Sequence, residues 1–266
     1  MTRLLACLAL LALISTIARA EEFDCLIEAR QTVEIRSPVE GLVESVKVQR
    51  GDLVRKGQLI VELESGPERA ALNIARARAA MTGPVDAAQA RVEFAKTKEK
   101  RQEELSRQKF VSPSVLDEAR TERKLAESEL QVAMENQKLA QLEVQRAEAV
   151  LQLHVIRSPF DGVVVDRLLD PGEFATTNIK EPILKLAEID PLNVEVVLPA
   201  TLFGRIRKGD RAEVVPETSD RYSPAQVSIV DRVIDGASGT FGVRLDLRNP
   251  GGAIPAGARC RLRFAK

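Results

Sequence analysis

A nine-residue segment occurs twice in the chain, and the copies are far apart. Ile35-Arg36-Ser37-Pro38-Val39-Glu40-Gly41-Leu42-Val43 returns as Ile156-Arg157-Ser158-Pro159-Phe160-Asp161-Gly162-Val163-Val164. The offset of 121 residues also carries Gly51-Asp52 onto Gly172-Glu173. Each copy reads as strand, Pro-x-x-Gly turn, strand and a second Gly-acidic turn. Pro38 and Pro159 preset φ at the turn entry. Gly41, Gly51, Gly162 and Gly172 supply positive φ wherever the turns demand it. Alternation in Val43, Val46 and Val48, then in Leu59, Val61 and Leu63, marks short strands, with a bulge expected between Val43 and Val46. A copy of some 30 residues is too small to bury a core alone. Two copies must therefore close on each other.

What separates the copies is helical. Glu64-Ser65-Gly66 leads into an 86-residue insertion, Pro67 to Gln152. From Ala126 onward, Ala126, Leu130, Ala133, Gln137, Ala140, Val144, Ala147 and Leu151 alternate spacings of four and three. This is a heptad stripe narrowed by alanine, suited to two closely packed antiparallel helices. Glu, Lys and Arg fill many remaining positions. In the first arm Val85, Ala88, Val92 and Ala95 keep the spacing, while Glu99 and Gln102 break it. Gly83-Pro84 predicts a kink or short break, because proline removes a donor and clashes with the preceding turn. The arms reverse near Phe110 to Ser114, where Ser112 can cap the second helix and Pro113 suits its first position. The second arm, Ser114 to Gln152, should be a rod of nearly 60 Å at about 1.5 Å per residue.

After the second copy the chain turns β-rich. Val194 and Val196, Val227 and Ile229, then Val243, Leu245 and Leu247 alternate with polar residues. Turns follow at Lys208-Gly209-Asp210, Asn249-Pro250-Gly251-Gly252 and Pro255-Ala256-Gly257, a spacing that predicts a small barrel. The expected fold is α+β, elongated and multidomain. It comprises a β-sandwich of residues 33–66 and 153–187, split by an α-helical coiled-coil hairpin of residues 67–152. Residues 21–32 and 188–266 form a β-barrel.

The two halves resemble those of a biotinyl/lipoyl domain. Split by such a hairpin and followed by a barrel, they resemble the periplasmic adaptors (membrane fusion proteins) of tripartite efflux pumps, in the haemolysin-D-like superfamily. The resemblance covers nearly the whole chain after residue 20. Lipoyl carriers hold their modified lysine in the hairpin joining the halves. Here that hairpin is replaced by the insertion, and Lys56, near the Gly57 turn, does not substitute. A swinging-arm carrier is disfavoured. Adaptors of the resistance–nodulation–division (RND) type carry Arg-x3-Leu-x6-Ser at the hairpin tip, where it docks onto TolC-like outer-membrane channels. Arg101, Leu105 and Ser112 stand at that spacing. One helical turn puts Arg101 and Leu105 on one face, an arginine to donate to partner oxygens and a leucine as apolar anchor. The same three residues also read as an exposed charge, a core leucine and a helix cap.

The resemblance implies a subunit linking an inner-membrane RND-type transporter to a TolC-like channel, with an ABC-type exporter or type I secretion system as the alternative partner system. It implies a ring of about six copies and a strand from the segment before the first lipoyl half added to the barrel. That strand would bring Cys25 near Cys260, leaving a disulfide or two buried free thiols. A bond closing so long a loop contributes at most about 5 kcal/mol in the chain-entropy model. Longer adaptors continue into a membrane-proximal domain. This sequence stops at Lys266, just past the last barrel strand, so that domain is not expected.

Composition narrows the alternatives. Lys+Arg and Asp+Glu are 39 each, so no whole-chain field favours nucleic acid. Aromatic residues are 3%, with no Trp and one Tyr, and there are three Met and one His. Base-stacking surfaces and metal-handling segments are hard to build from that inventory. No nucleophile–base pair, phosphate-binding glycine loop or ligand cluster is legible. His154, the sole histidine, opens the second half-motif with no nearby thiol or paired histidine and reads as structural. The expectation is a non-enzymatic protein with no cofactor. Arg3, the apolar run Leu4 to Ile17, and Ala18-Arg19-Ala20 read as a signal peptide cleaved after Ala20, placing the product in the periplasm. Cys7 precedes most of the apolar run, which argues against a lipoprotein box.

Overall fold

In the computed structural model the two sequence copies exchange backbone hydrogen bonds reciprocally. The structure describes residues 21–219 and 221–264. The signal-peptide expectation lies outside them. Gly51 N donates to Val164 O (2.8 Å) and Gly172 N to Val43 O (2.9 Å). Val164 N donates to Asp52 O (2.9 Å) and Val43 N to Glu173 O (2.8 Å). These four bonds map onto each other by the same sequence offset that relates the copies. The halves are thus related by a pseudo-twofold, and each completes the other's turn.

The strands follow this symmetry. β1 spans Glu22–Ile35, β2 Gly41–Val46, β3 Leu53–Val54 and β4 Leu59–Leu63; β5 spans Val155–Arg157, β6 Gly162–Arg167, β7 Phe174–Ala175 and β8 Leu184–Pro199. β2 pairs with β7 through Gly41↔Ala175, and β3 with β6 through Val54↔Gly162. Ile35, Val43, Val48, Val54, Ile60 and Leu63 of the first half pack against Ile156, Val164, Ala175, Leu184 and Leu186 of the second in one buried core. Burying a Val, Leu or Ile side chain contributes about 1.5–3 kcal/mol, and neither half could assemble this set alone. The expected bulge is present, as a register shift between Val43 and Ser45 in the β2–β4 ladder.

The glycines divide by role. Gly51 and Gly172 both have φ of +93°, a left-handed conformation that favours glycine. Gly41 and Gly162 do not have positive φ, so the conformational reason expected for them is wrong. Gly162 is needed for space: a Cβ there would lie 2.3 Å from Ala187 O. Gly41 is less constrained, its nearest neighbours in that direction being Leu63 side-chain atoms at 3.8 Å.

The barrel comprises β9 (Arg211–Pro216), β10 (Ser223–Val230), β11 (Thr240–Leu247) and β12 (Arg259–Phe264), with the outer parts of β1 and β8. Its order is β1-β12-β9-β10-β11-β8, closed by β1 pairing with β8. Ile27, Leu192, Val194, Leu198, Val214, Leu245, Leu247 and Leu262 fill it. Ile229, expected to alternate with Val227, is instead half exposed. A register shift between Val227 and Ile229 turns the strand, and so that side chain, outward.

The expected boundaries at residues 32/33 and 187/188 fall inside β1 and β8. β1 and β8 run unbroken through both modules, side by side, with one register shift between Ala29 and Gln31. A two-strand ribbon therefore joins sandwich to barrel. Asn249, almost fully buried, adds a clasp: its amide nitrogen donates to Ile189 O and Ile254 O, and its amide oxygen accepts from Ile254 N. The Cys25 and Cys260 sulfurs are bonded across directly opposed positions of β1 and β12, with Cα atoms 4.9 Å apart.

Candidate functional site at the tip of the helical hairpin

Three helices build the insertion: α1 (Gly66–Ala79), α2 (Gly83–Arg107) and α3 (Pro113–Gln152). The break in the first arm falls at residues 80–82, just before the position the sequence suggests. Gly83-Pro84 opens α2 instead of interrupting a helix, because the missing proline N–H is harmless in a first turn. Ala88, Val92 and Ala95 are buried, and the heptad positions Ala126 to Leu151 of α3 form its least exposed face. At 40 residues and about 1.5 Å per residue, α3 is about 60 Å long.

The seam stays in register where its chemistry changes. Glu99 and Gln102, expected to break the stripe, occupy it as polar members. Glu99 accepts from Arg123 Nε at 2.6 Å and lies 3.8 Å from Arg120. Hydrogen bonds from Arg123 to Glu127 and then Glu99 raise the guanidinium pKa above its ordinary value. Lys98 is raised likewise by its 2.6 Å bond to Glu122. Nearer the base, Arg76 meets Glu148 and Arg91 meets Glu129. Exposed pairs contribute little stability singly, but all of these except Arg123–Glu127, which lies within α3, cross between arms and fix which residues face each other. Gln102 Oε1 is buried with no hydrogen-bond partner.

The tip itself is short. Phe110 N donates to Leu105 O (2.9 Å), and Lys109 N to Ser106 O (2.9 Å), closing α2. Lys109 takes φ of +59°, which turns the chain sharply and projects the next side chain. That side chain is Phe110, 73% exposed. Ser112 occupies the N-cap position and Pro113 opens the helix, but the serine hydroxyl bonds Ser114 Oγ (2.7 Å) and makes no cap bond. Its expected capping role is therefore not what its side chain does.

The structure brings Arg101, Leu105 and Ser112 to one end of the hairpin. Arg101 and Ser112 are exposed, and Leu105 is only partly so. Arg101 enters no ion pair among the described residues, in contrast to Glu103–Arg107 and Arg120–Asp117 beside it. An unpaired guanidinium, a half-covered leucine and a free aromatic ring can together enter a partner groove: the cation to carboxylates or carbonyls, the ring to an apolar slot. Sequence reasoning missed Phe110. Its signal was an aromatic at the chain reversal of a protein with eight Phe and one Tyr.

The turn residues Pro38, Gly41, Gly51, Pro159, Gly162 and Gly172 all lie in the two-half module at the stalk's base. Two serines beside them were overlooked. Ser37 and Ser158 are buried, and each hydroxyl donates to the carbonyl two residues on, of Val39 and Phe160 respectively. His154, 7% exposed, sits where α3 meets β5. Its Nδ1 lies 3.2 Å from Val150 O, and its Nε2 lies 3.7 Å from Glu68 of α1. It ties the two arms at their root. Among the described residues no His, Cys, Asp or Glu cluster could hold a metal ion, and no helix is long and apolar enough to cross a membrane.

Residues 31–187 match the family model described as a CzcB-like, barrel-sandwich hybrid domain. The chain is 26% identical over 220 residues to the cobalt-zinc-cadmium resistance protein CzcB of Cupriavidus metallidurans, a match covering 83% of this chain and 40% of that protein. Multidrug resistance protein MdtE of Escherichia coli K12 is 26% identical over 240 residues, covering 85% and 59%. The chain thus spans about half the length of these relatives. Among solved structures, MacA from Actinobacillus actinomycetemcomitans superposes with a TM-score of 0.75 at 23% identity, over 92% of this chain and 79% of that one. The membrane fusion protein Spr0693 from Streptococcus pneumoniae R6 gives 0.63 at 14%, over 93% and 99%. These superpositions speak to fold.

Proposed function

The chain belongs to the CzcB-like barrel-sandwich hybrid family, and on that footing we propose that it is a periplasmic efflux adaptor, exported and then cleaved after Ala20. In this reading it links an inner-membrane RND-type transporter to a TolC-like outer-membrane channel. The paired stalk carries the proposal: two distant β-fragments close into one module and send a 40-residue helix, with its antiparallel partner, outward. A rod that buries so little apolar surface contributes reach more than stability. Arg101, Leu105, Phe110 and Ser112 form the channel-docking end. Sandwich and barrel modules of about six copies stand side by side around a conduit. The protein carries out no chemical step and needs no cofactor. It acts by contacting different states of its transporter with different affinity. Relatives named for cation efflux and for multidrug resistance support efflux as the process and leave the cargo open.

Charge reversal at the tip tests this. Arg101→Asp is expected to abolish complementation of an adaptor-deletion strain in an efflux assay, with normal export and an unchanged melting temperature. Lys100→Asp, one position round the helix, is the matched control. Unchanged efflux in Arg101→Asp removes the docking assignment. Co-purification of an ATPase-driven permease in place of an RND-type one reassigns the inner partner to the ABC class.

A further inference from the structure

The stalk joins its module through two short crossings, Leu63 to Gly66 between β4 and α1, and Gln152 to Val155 between α3 and β5. Leu63 N donates to His154 O across them at 2.9 Å. Immediately beyond, the arms are not closely filled. An open groove of about 560 Å³ separates them, with Glu68, Ala71 and Ile74 of α1 on one side and Ala147 and Val150 of α3 on the other. Movement at this joint is amplified by the length of the arm. Since α3 is about 60 Å long, a rotation of about 10° at the root carries the tip about 10 Å.

His154 is buried in this joint, and both of its ring nitrogens face oxygen. Nδ1 lies 3.2 Å from Val150 O, and Nε2 lies 3.7 Å from Glu68 Oε1. A carbonyl and an ionised carboxyl can only accept. A neutral imidazole carries one N–H, so one of its nitrogens must set a lone pair against an oxygen. The imidazolium donates to Val150 O and directs its second N–H at Glu68. Val150 O also belongs to the last turn of α3, where the backbone carbonyls favour a cation. Burial opposes the charge, and the two acceptors offset it. The other charged groups at the joint are engaged elsewhere. Arg69 of α1 reaches Glu44 of β2 (3.8 Å), and Arg76 of α1 pairs with Glu148 of α3 (2.8 Å). Glu62 of β4 pairs with Lys47 (3.0 Å), and Arg157 of β5 donates to Gly57 O (3.0 Å). A carboxyl oxygen of Glu64 lies beside Gly66. Arg146 and the Arg78–Glu143 pair line the groove further along the stalk.

We propose that His154 is a protonation-sensitive latch at the root of the stalk, clamping the first turn of α1 to the last turn of α3 through Glu68 and Val150 O. The closed root is the arrangement that satisfies the cation, so closure and protonation favour each other. Acidification tightens the joint, and loss of the proton loosens it. The latch sets how rigidly the stalk is held on its module. It acts at the opposite end of the hairpin from Arg101, Leu105, Phe110 and Ser112, and it does not depend on which transporter or channel the chain meets.

Histidine is the side chain whose ordinary titration falls between pH 6 and 8, and the chain has one. Untagged purified protein therefore gives a single imidazole signal by NMR, which a pH titration can follow. Glu68→Gln, at a partly exposed position, is expected to lower the proton affinity of that imidazole about threefold or more. Hydrogen exchange supplies the structural readout. After correction for the intrinsic effect of pH, amides at residues 66–72 and 150–156 should exchange more slowly at pH 6 than at pH 8. That difference should shrink in Glu68→Gln, vanish in His154→Gln, and be missing around Ser128 in mid-stalk. An imidazole that titrates alike in wild type and Glu68→Gln overturns the proposal. So does root exchange that ignores pH over this interval, or a pH dependence that survives in His154→Gln, either of which leaves the histidine a purely structural residue.

Discussion

Replacing Cys25 and Cys260 together by alanine is expected to lower the free energy of unfolding by about 2–5 kcal/mol, and reduction of the native protein should do the same. The bond closes a loop of sequence separation 235, so in the chain-entropy model it removes much of the freedom of the unfolded chain. Its position adds a second effect. β1 is the strand that completes the barrel between β12 and β8, and the bond pins its outer part to β12. Denaturant titration of oxidised and reduced protein measures the difference. Midpoints that coincide would mean the bond constrains nothing that the ladder does not already hold. Non-reduced mass spectrometry of the purified protein should show the pair oxidised.

The second large effect distinguishes the two copies of the repeat. Gly162→Ala should destabilise the module by about 3 kcal/mol or more, because the new Cβ meets a backbone oxygen that can move only by shifting β8. Gly41→Ala, at the matching place in the first copy, meets only ordinary contacts. It should be neutral, or stabilising by about 0.4–1 kcal/mol through the unfolded chain. The asymmetry arises after the copies diverge. The first half ends its strand at Leu63 and leaves as α1, whereas β8 of the second half runs on over β6, pairing Ala187 with Val163. Equal destabilisation by both substitutions would contradict this account of the motif.

That pair also shows how far the sequence could be read. The duplication revealed that the halves belong together, since matching Pro-x-x-Gly and Gly-acidic turns at a fixed offset leave few other arrangements. It did not reveal which glycines were conformational and which steric. Steric need depends on Ala187, whose approach is a tertiary fact with no local signature. The α3 stripe was legible because heptad spacing survives translation into burial almost residue by residue. The α2 stripe was legible only to Ala95. Beyond it the seam is polar, and periodicity in hydrophobicity cannot register Glu99 gripping two arginines. The passage from sandwich to barrel was not legible for a similar reason. β1 and β8 continue through it as strands, and the register shift between Ala29 and Gln31 is a property of their pairing, not of either sequence alone. At the tip, spacing brought Arg101, Leu105 and Ser112 together, and the structure adds Phe110, 73% exposed at the same chain reversal. The lever behind this is Lys109, a positive-φ residue that is not glycine, which composition gives no reason to suspect.

The claim on which the functional account depends is that the hairpin tip meets an outer-membrane channel. Its most direct measurement is site-specific photocrosslinking in intact cells, with the photoreactive residue placed at Phe110 and, as the comparison, at the exposed mid-stalk position Ser128. The account predicts an adduct from position 110 with an outer-membrane exit channel, lost when Arg101→Asp is introduced, and none with that channel from position 128. Adducts from position 110 confined to inner-membrane or soluble proteins, or the same channel adduct from both positions, would contradict it.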